Sequence, residues 1–358
     1  MSLPRVMSGV YLTRHGGPEA LEMRYDIAVP APGKGQVLVQ VLAAGINNTD
    51  INTRLGWYDR EVTTATDAVP QKTAIEAGGW GGALTFPRIQ GGDICGRIVA
   101  LGAEVDDFHI GQRVTCPINI PRPRPDNKKA YEVLGSERDG AFAQYCVLDA
   151  VDLYDVSAAP LSDIEIAAIP CAYGTAETLL TRAGVSKDQQ VLITGASGNV
   201  GLAAVQLAAL RGAQVTALAA PQKAAAVRSA GASSTLGRDA NLPEGQFDAV
   251  IDVVAGSIWP QLIMAVRPGG QYAVAGAIAG PVVPADLRDI YLRDITIHGC
   301  TFQPPEVFRR LIDLINQGLL RPMIAKTYPL SNITQAQADF VAKTYVGKLV
   351  LIPEDPNT

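Results

Sequence analysis

The segment from Val191 to Gly212, VLITGASGNVGLAAVQLAALRG, constrains the fold of this chain more than any other. It begins with an apolar, β-branched run over 191–194 that is typical of a buried parallel strand. A glycine-rich turn follows, and from Val200 the apolar residues recur at helical spacing until Gly212 ends the pattern. Because the glycines lie where a strand becomes a helix, backbone N–H groups and the helix dipole can hold a diphosphate there.

The turn matches the nucleotide fingerprint G-x-G-x-x-G at its last two glycines and has alanine at the first position. Gly198 allows the backbone to approach phosphates, and Gly201 allows the helix to pack closely on the strand. A second apolar strand over 214–219 completes the context, so we interpret the turn as a dinucleotide site rather than an ordinary connection. The residues predicted to bind the cofactor here are Ala196, Ser197, Gly198, Asn199, Val200 and Gly201.

The domain organisation follows from length and from the change in periodicity along the chain. A chain of 358 residues is longer than one compact core usually holds, so two domains are expected. Residues 1–156 consist mostly of strands and turns and predict a β-rich domain, which residues 306–358 complete with a closing strand at 348–352. Residues 157–305 alternate strands with helices and predict a doubly wound parallel sheet, so the fold class is α/β.

Composition narrows the function and the compartment. The net charge of −5 argues against a nucleic-acid surface, which is usually basic. The five cysteines are scattered without a C-x-x-C pair, which favours a reducing compartment and no disulfide framework. No apolar run reaches about 18 residues and the first residues do not resemble a secretion signal, so we expect a cytoplasmic protein without a membrane span.

The segment 61–88 breaks the strand pattern of the first domain and has no sustained periodicity. Such a long irregular segment is either a functional loop or partly disordered. Trp80 and Phe86 within it are candidates to cover a pocket, and the alternative is a surface insertion without a role.

Three motifs together resemble one known family. They are the segment GINNTD at 45–50 with RLGWY at 54–58, the segment GGDICGRIV at 91–99, and the alanine form of the nucleotide fingerprint. The chain resembles the medium-chain dehydrogenase/reductase superfamily, and within it the zinc-free quinone oxidoreductase-like branch. The resemblance implies a GroES-like β-rich catalytic domain, a Rossmann domain, and a cleft between them for NAD(P)H.

The resemblance also indicates where a catalytic zinc ion lies in related alcohol dehydrogenases. The first cysteine ligand corresponds to Asn47, the histidine ligand to Gly92, the acid after it to Asp93, and the last thiol to Cys171. One thiol and one carboxylate make a poor tetrahedral site, so we predict no metal and a small buried side chain at Cys171. The chain's histidines lie outside these motifs and are expected at surface or packing positions: His15, His109 and His298.

The predicted cofactor is NADP(H), with NAD(H) as the less favoured alternative. NAD enzymes usually place an acid at the end of the second strand, where this chain has Ala219. Lys223 follows at a position where the resembled reductases contact the 2′-phosphate, and Arg238 can pair with phosphate in a bidentate way. The alternative is that both cations are solvated surface charges.

The resemblance implies the remaining site residues. Asn47 and Tyr58 are predicted to donate hydrogen bonds to a developing oxyanion, with turn stabilisation and packing as their alternative roles. Asp50 and Asp93 are interpreted as structural residues that cap and shape loops. Further contacts to the cofactor are expected from Thr175, Ala255, Gly276, Ala277, Cys300 and Lys348.

These inferences predict an enzyme that transfers hydride from NADPH to a quinone or an α,β-unsaturated carbonyl, without a metal. Two alternatives remain: a zinc-type alcohol dehydrogenase with a degenerate site, and a non-catalytic dinucleotide-binding protein. The segment 292–299 is a candidate edge strand, and the resemblance suggests that it pairs with its counterpart in a homodimer.

Overall fold

A computed structural model describes residues 3–69 and 78–354 of the chain, so the middle of the predicted insertion lies outside the described residues. The strands, numbered in chain order, are β1 (Val6–Leu12), β2 (Leu21–Ala28), β3 (Gln36–Gly45), β4 (Arg88–Ile89), β5 (Cys95–Leu101), β6 (Arg113–Thr115), β7 (Asn119–Pro121), β8 (Tyr131–Val133), β9 (Tyr145–Asp149), β10 (Tyr154–Asp155), β11 (Gln190–Ile193), β12 (Gln214–Leu218), β13 (Ser234–Leu236), β14 (Phe247–Asp252), β15 (Val266–Val274), β16 (Thr296–Gly299), β17 (Ile324–Pro329) and β18 (Lys348–Ile352). The α-helices are α1 (Asn48–Leu55), α2 (Asp163–Ile166), α3 (Pro170–Arg182), α4 (Asn199–Leu210), α5 (Ala224–Ser229), α6 (Trp259–Ala265), α7 (Arg288–Tyr291), α8 (Pro305–Asn316) and α9 (Ile333–Ala342).

The described residues form two compact units. The first unit comprises 3–62, 78–171 and 308–354, and the second comprises 63–69 and 172–307.

The first unit is β-rich and is built around strand β3. Its largest sheet has the order β10-β6-β5-β3-β18-β17, and β9 also pairs with β3. A smaller sheet has the order β2-β1-β4, and β7 pairs with β8. The closing strand β18 pairs antiparallel with β3 at Val350 and Leu351, which confirms that the C-terminal strand returns to the first domain.

The second unit is a six-stranded, fully parallel sheet in the order β13-β12-β11-β14-β15-β16. Val191, Leu192 and Ile193 of β11 are fully buried, as expected for a central strand covered on both faces. From β11 the strands are added first toward β13 and then, from β14, toward the opposite edge of the sheet. Ligands of doubly wound sheets bind at the point where the strand order reverses in this way. The two units confirm the predicted α/β fold class.

The fingerprint glycines explain how β11 turns into α4. Gly195 has a φ of +56°, a conformation that glycine adopts without strain. A Cβ atom on Gly201 would lie 2.2 Å from the carbonyl oxygen of Gly195, so any side chain there would push the helix away from the strand. The prediction that Gly201 permits close packing of helix on strand is confirmed.

The five cysteines are all free and buried. Among the described residues, no helix combines the length and the apolar character that crossing a bilayer requires.

Candidate active site

The run GINNTD forms the junction between β3 and α1 in the first unit. Asn47 caps the N-terminus of α1, and its backbone N–H donates to Asp50 Oδ2 over 2.7 Å. Gly56 ends the helix in the left-handed conformation, with a φ of +70°. Asp50 therefore has the capping role that the sequence predicted for it.

Three buried side chains, Asn47, Asp93 and Lys348, form what we call the polar cluster. Lys348 Nζ lies 2.5 Å from Asp93 Oδ2 and 2.6 Å from Asn47 Oδ1. Asn47 Nδ2 completes the triangle by donating to Asp93 Oδ2 over 2.9 Å. Exposure is 3% for Asn47, 0% for Asp93 and 3% for Lys348, so the charges of the pair are held away from solvent. The sequence predicts a contact between Lys348 and the cofactor, and in the structure the Lys348 ammonium lies in this cluster.

Gly45 and the backbone N–H of Cys171 stabilise the polar cluster. A Cβ atom on Gly45 would lie 2.6 Å from Lys348 Cε and 2.7 Å from Asp93 Oδ2, so glycine at this position makes room for the ion pair. The second oxygen of Asp93 accepts a hydrogen bond of 2.6 Å from the backbone N–H of Cys171, in the first turn of α3. Asp93 thus connects β18, the β3–α1 junction and the start of α3.

Asp50 lies next to the polar cluster and has an unusual ionisation. Burial raises its pKa to about 7, and the nearby carboxylate of Asp93 acts in the same direction. The hydrogen bond from Asn47 and the charge of Lys348 oppose this increase. The protonated form of Asp50 is therefore favoured well above the pH at which an exposed aspartate ionises.

Tyr58 connects helix α1 to an aromatic surface. Its hydroxyl lies 3.1 Å from Thr49 Oγ1 and also hydrogen-bonds the side chain of Asn52. Burial raises the pKa of Tyr58 to about 12, so the phenol stays protonated at neutral pH and can donate a hydrogen bond. On its other side, the ring stacks on Trp80 with a centroid separation of 6.0 Å.

The residues at the zinc position do not fit a zinc ion. The Lys348 ammonium already binds the carboxylate of Asp93, and its positive charge would oppose a divalent cation there. A Cβ atom on Gly92 would lie 2.1 Å from Ile118 Cδ1, so Ile118 fills the space that a histidine ligand would need. Cys171 is buried as expected, and within 3–69 and 78–354 no group of three or more His, Cys, Asp and Glu residues is arranged to hold a metal.

The three histidines take structural or surface positions, as predicted. His15 Nδ1 lies 2.8 Å from the carbonyl oxygen of Thr53, and its ring meets Phe86 edge-on. His298 Nε2 lies 2.7 Å from Gln271 Oε1, and His109 is exposed.

In the second unit, the fingerprint turn forms the N-terminus of a helix of 12 residues. Gly198 caps α4, and its own N–H donates to the Gly195 carbonyl over 2.9 Å. Helix N-termini leave backbone donors without intrahelical partners, and these suit an anion. The Ala196 N–H already donates to the Leu218 carbonyl over 3.2 Å, and binding of a diphosphate at residues 196–201 stays a prediction.

The end of β12 carries no acid. Ala219 is buried, and its N–H donates to the carbonyl of Leu236 over 3.0 Å, which brings the end of β12 beside the end of β13. Arg238 follows β13 by two residues and is exposed. Lys223 ends a short 3₁₀ turn and is only 9% exposed.

Asp252 shapes the loop after β14, a role that no motif of the sequence predicts. This fully buried carboxylate accepts hydrogen bonds from Thr194 Oγ1 at 2.6 Å, from the Val254 N–H at 2.8 Å and from the Tyr272 hydroxyl. It also accepts from the N–H of Ala255, a residue with a φ of +52°. Asp252 thereby fixes the backbone at one of the predicted cofactor positions.

The other predicted cofactor residues of the second unit lie on α3 and after the strands. Thr175 is partly exposed on α3 among buried neighbours. Gly276 and Ala277 follow β15, and Cys300 follows β16, where its N–H donates to the Val274 carbonyl over 2.8 Å. Gly276, Ala277 and Cys300 thus lie at carboxyl ends of strands, the edge at which such sheets bind ligands.

Family models and known relatives agree with this architecture. Residues 33–158 match the alcohol dehydrogenase GroES-like domain, and residues 199–317 match the zinc-binding dehydrogenase family. A quinone oxidoreductase of Lama guanicoe is 28% identical over 97% of this chain and 98% of its own length. An NADPH-dependent alkenal/one oxidoreductase of Arabidopsis thaliana is 25% identical over 98% of this chain and 81% of its own length.

A solved structure from Sinorhizobium meliloti, named only provisionally as an alcohol dehydrogenase, is 41% identical to this chain. The match covers 98% of both chains with a TM-score of 0.89. The chain therefore belongs to the medium-chain dehydrogenase/reductase superfamily and is an oxidoreductase of the quinone oxidoreductase-like type.

Proposed function

We propose that the protein is an NADPH-dependent reductase of quinones or α,β-unsaturated carbonyls that works without a metal. The observation that carries this proposal is the ion pair of Lys348 and Asp93, whose ammonium also binds Asn47, the residue that corresponds by resemblance to the first zinc ligand of related alcohol dehydrogenases. A site without a Lewis acid favours acceptors that are already electrophilic, such as quinones and enones. The names of the relatives in Lama guanicoe and Arabidopsis thaliana support the same classes of acceptor.

The bound nucleotide supplies hydride, and the protein's part is to orient the acceptor and stabilise its negative charge. One hydride and one proton convert a quinone to its hydroquinone, or an enone to its saturated ketone. Tyr58 donates its phenolic proton in a hydrogen bond to the oxygen on which negative charge develops. Its raised pKa keeps that hydrogen in place throughout the neutral range.

Asn47 is the second proposed donor, and the polar cluster sets its orientation. One amide hydrogen points at Asp93, and the other makes only a long contact of 3.4 Å to the Gly45 carbonyl. We propose that this second hydrogen is donated in a hydrogen bond to the oxyanion. Lys348 holds the amide oxygen, so we assign it the role of a positioning residue for Asn47.

NADPH is proposed over NADH because the end of β12 has no carboxylate to accept from a ribose hydroxyl or to repel a 2′-phosphate. Arg238 and Lys223 supply the positive charge.

We further propose that the turn at 196–201 binds the diphosphate, and that the remaining contacts come from Thr175, Ala255, Gly276, Ala277 and Cys300.

The protein is also proposed to form a homodimer through the edge of its parallel sheet. Strand β16 lies at that edge, and Ile297 on it is 42% exposed. Nearby in sequence, Tyr291 and Leu292 are 63% and 69% exposed. An exposed strand edge with apolar side chains is a common surface for pairing of two copies.

The test is turnover by the full-length protein, with metal content measured on the same sample. We expect oxidation of NADPH by quinones or enones, no oxidation of simple alcohols with NADP⁺, and less than stoichiometric zinc. Tight binding of NADPH with no turnover across the panel would instead favour a non-catalytic nucleotide-binding protein. One zinc ion per chain together with alcohol oxidation would favour the alcohol dehydrogenase alternative.

A further inference from the structure

The first unit carries a surface of aromatic side chains beside the polar cluster, which we call the aromatic wall. Tyr58 and Trp80 stack with an interplanar angle of 7° and a centroid separation of 6.0 Å. Trp80 and Tyr131 pack against a small buried apolar group. That group consists of Ile118, Val133 and Cys171.

The wall adjoins the proposed site through residues already placed in it. Cys171 backs the wall with its side chain, while its backbone N–H donates to Asp93 of the polar cluster. Tyr58 presents its ring to Trp80 and its hydroxyl to Thr49, two residues after Asn47. The aromatic side chains and the polar cluster are therefore connected through Cys171, which contacts both.

Trp80 comes from the segment 61–88, and its part of that segment is firmly attached. The backbone N–H of Gly81 donates to Glu137 Oε1 over 2.9 Å, and Glu137 Oε2 accepts from the Val133 N–H over 2.8 Å. A Cβ atom on Gly78 would lie 2.6 Å from both the His15 ring and Gly56, so this residue packs tightly too. Phe86 closes the segment against His15.

We propose that Trp80 is a specificity-determining residue, and that the aromatic wall selects planar ring acceptors, namely quinones, over open-chain enals. The proposal rests on the proposed function and narrows its substrate class. Electron-rich indole and phenol rings stack favourably on a flat, electron-poor quinone ring. An open-chain enal offers only a few atoms to such a surface and gains little from it. Glu137 is then the positioning residue that holds Trp80 in the wall.

The experiment compares Trp80→Leu with Trp80→Phe in the full-length protein. Each variant is assayed with NADPH against a two-ring para-quinone and against an open-chain alkenal. We expect Trp80→Leu to lower kcat/KM for the quinone about tenfold and to change the alkenal value less than about twofold. Trp80→Phe keeps an aromatic face and should retain most of the quinone activity.

Glu137→Ala removes the hydrogen-bond acceptor of the Gly81 N–H, and so tests whether Glu137 positions Trp80, without altering an aromatic residue. We expect it to shift the ratio of quinone to alkenal activity in the same direction as Trp80→Leu. Its matched control is Glu132→Ala on strand β8, because Glu132 pairs with Arg122 at 3.3 Å and has no part in the wall. Glu132→Ala should leave the ratio unchanged, and thermal melts of all variants identify any general loss of folding.

An equal loss for both acceptors in Trp80→Leu, or no loss for either, would overturn the role of Trp80 while leaving the reductase function intact. If the wild-type protein reduces neither acceptor, the proposed function fails, and calorimetric binding of the same quinone still tests the wall. Weaker quinone binding by Trp80→Leu than by Trp80→Phe would then support it, and equal binding would refute it.

Discussion

The ammonium of Lys348 lies 2.5 Å from the carboxylate of Asp93, although 255 residues separate the two in sequence. Neither side chain has appreciable contact with solvent. Removing one member of such a pair leaves an uncompensated buried charge, whereas neutralising both members is far less costly. The pair therefore makes the closing strand β18 part of the candidate site and not merely of the sheet.

Lys348→Met should destabilise the protein by about 3–5 kcal/mol, because the Asp93 carboxylate would remain buried without its cation. The double variant Lys348→Met/Asp93→Asn should recover part of that loss, since the new amide is neutral and still offers an oxygen to the Cys171 N–H. Urea unfolding of the two variants measures both effects. Lys326→Met on the neighbouring strand β17 is the control, because Lys326 is exposed and lies 3.4 Å from its partner Asp339. A loss in Lys326→Met as large as in Lys348→Met would contradict this account.

Asp50 should make stability depend on pH between about 4 and 7. Its pKa in the folded protein is about 7, whereas the ordinary pKa of an aspartate is 3.8. Between these values the folded state holds the proton more tightly, so the contribution of Asp50 to stability falls as pH rises and then levels off. Asp50→Asn removes this contribution. The free energy of unfolding of the Asp50→Asn variant, minus that of wild type at the same pH, should therefore rise steadily from about pH 4 to about pH 7.

Unfolding in urea at several pH values tests the prediction for Asp50. Asp106→Asn, at an exposed position, is the control for the loss of a carboxyl group from the surface. A constant difference for Asp50→Asn would show that Asp50 ionises normally. The groups that act on its pKa are Asp93, Lys348 and the hydrogen bonds from Asn47 and Gly91.

Tyr58→Phe should lower kcat for quinone or enone reduction on the order of 10²-fold, the usual cost of losing one oxyanion donor. The ring is retained, so its stacking on Trp80 and the KM for the acceptor should change little. Steady-state kinetics separates the two parameters. Tyr25→Phe, at an exposed position, controls for the loss of a hydroxyl. A variant with raised KM and normal kcat would assign Tyr58 to packing alone.

Arg238→Gln should raise the KM for NADPH roughly tenfold and leave the KM for NADH nearly unchanged, because only NADPH carries the 2′-phosphate that a guanidinium can bind. Both values come from initial-rate measurements with one acceptor. Arg228→Gln is the matched control, since Arg228 on α5 donates to Thr235 and is not proposed to bind the cofactor. Equal effects on the two nucleotides would remove Arg238 from the 2′-phosphate site.

Ile297→Glu should convert the proposed homodimer to a monomer, because it places a charge on the exposed edge strand β16. Multi-angle light scattering at micromolar concentration measures the mass directly. The exposed Val151→Glu in the first unit serves as control and should leave the mass unchanged. A wild-type protein that already runs as a monomer would refute the dimer.

The sequence by itself determined the elements whose signals are local. The fingerprint at 195–201, with a strand before it and a helix after it, specifies the β11–α4 turn because only glycine satisfies the close approach of helix and strand there. The motifs around Asn47 and Asp93 identified the family, and the lack of an acid at Ala219 is the basis on which we propose NADPH as the cofactor.

Tertiary structure alone decided which distant residues meet. No local pattern pairs Lys348 with Asp93, because their contact depends on β18 joining β3 and on the small size of Gly45. Trp80 lies in a segment without periodicity, and no local pattern pairs it with Tyr58; Glu137 and His15, from other parts of the chain, contact Gly81 and Phe86 in the same segment. Local sequence fixes backbone conformation, whereas buried charges and stacked rings arise only when separate elements are packed together.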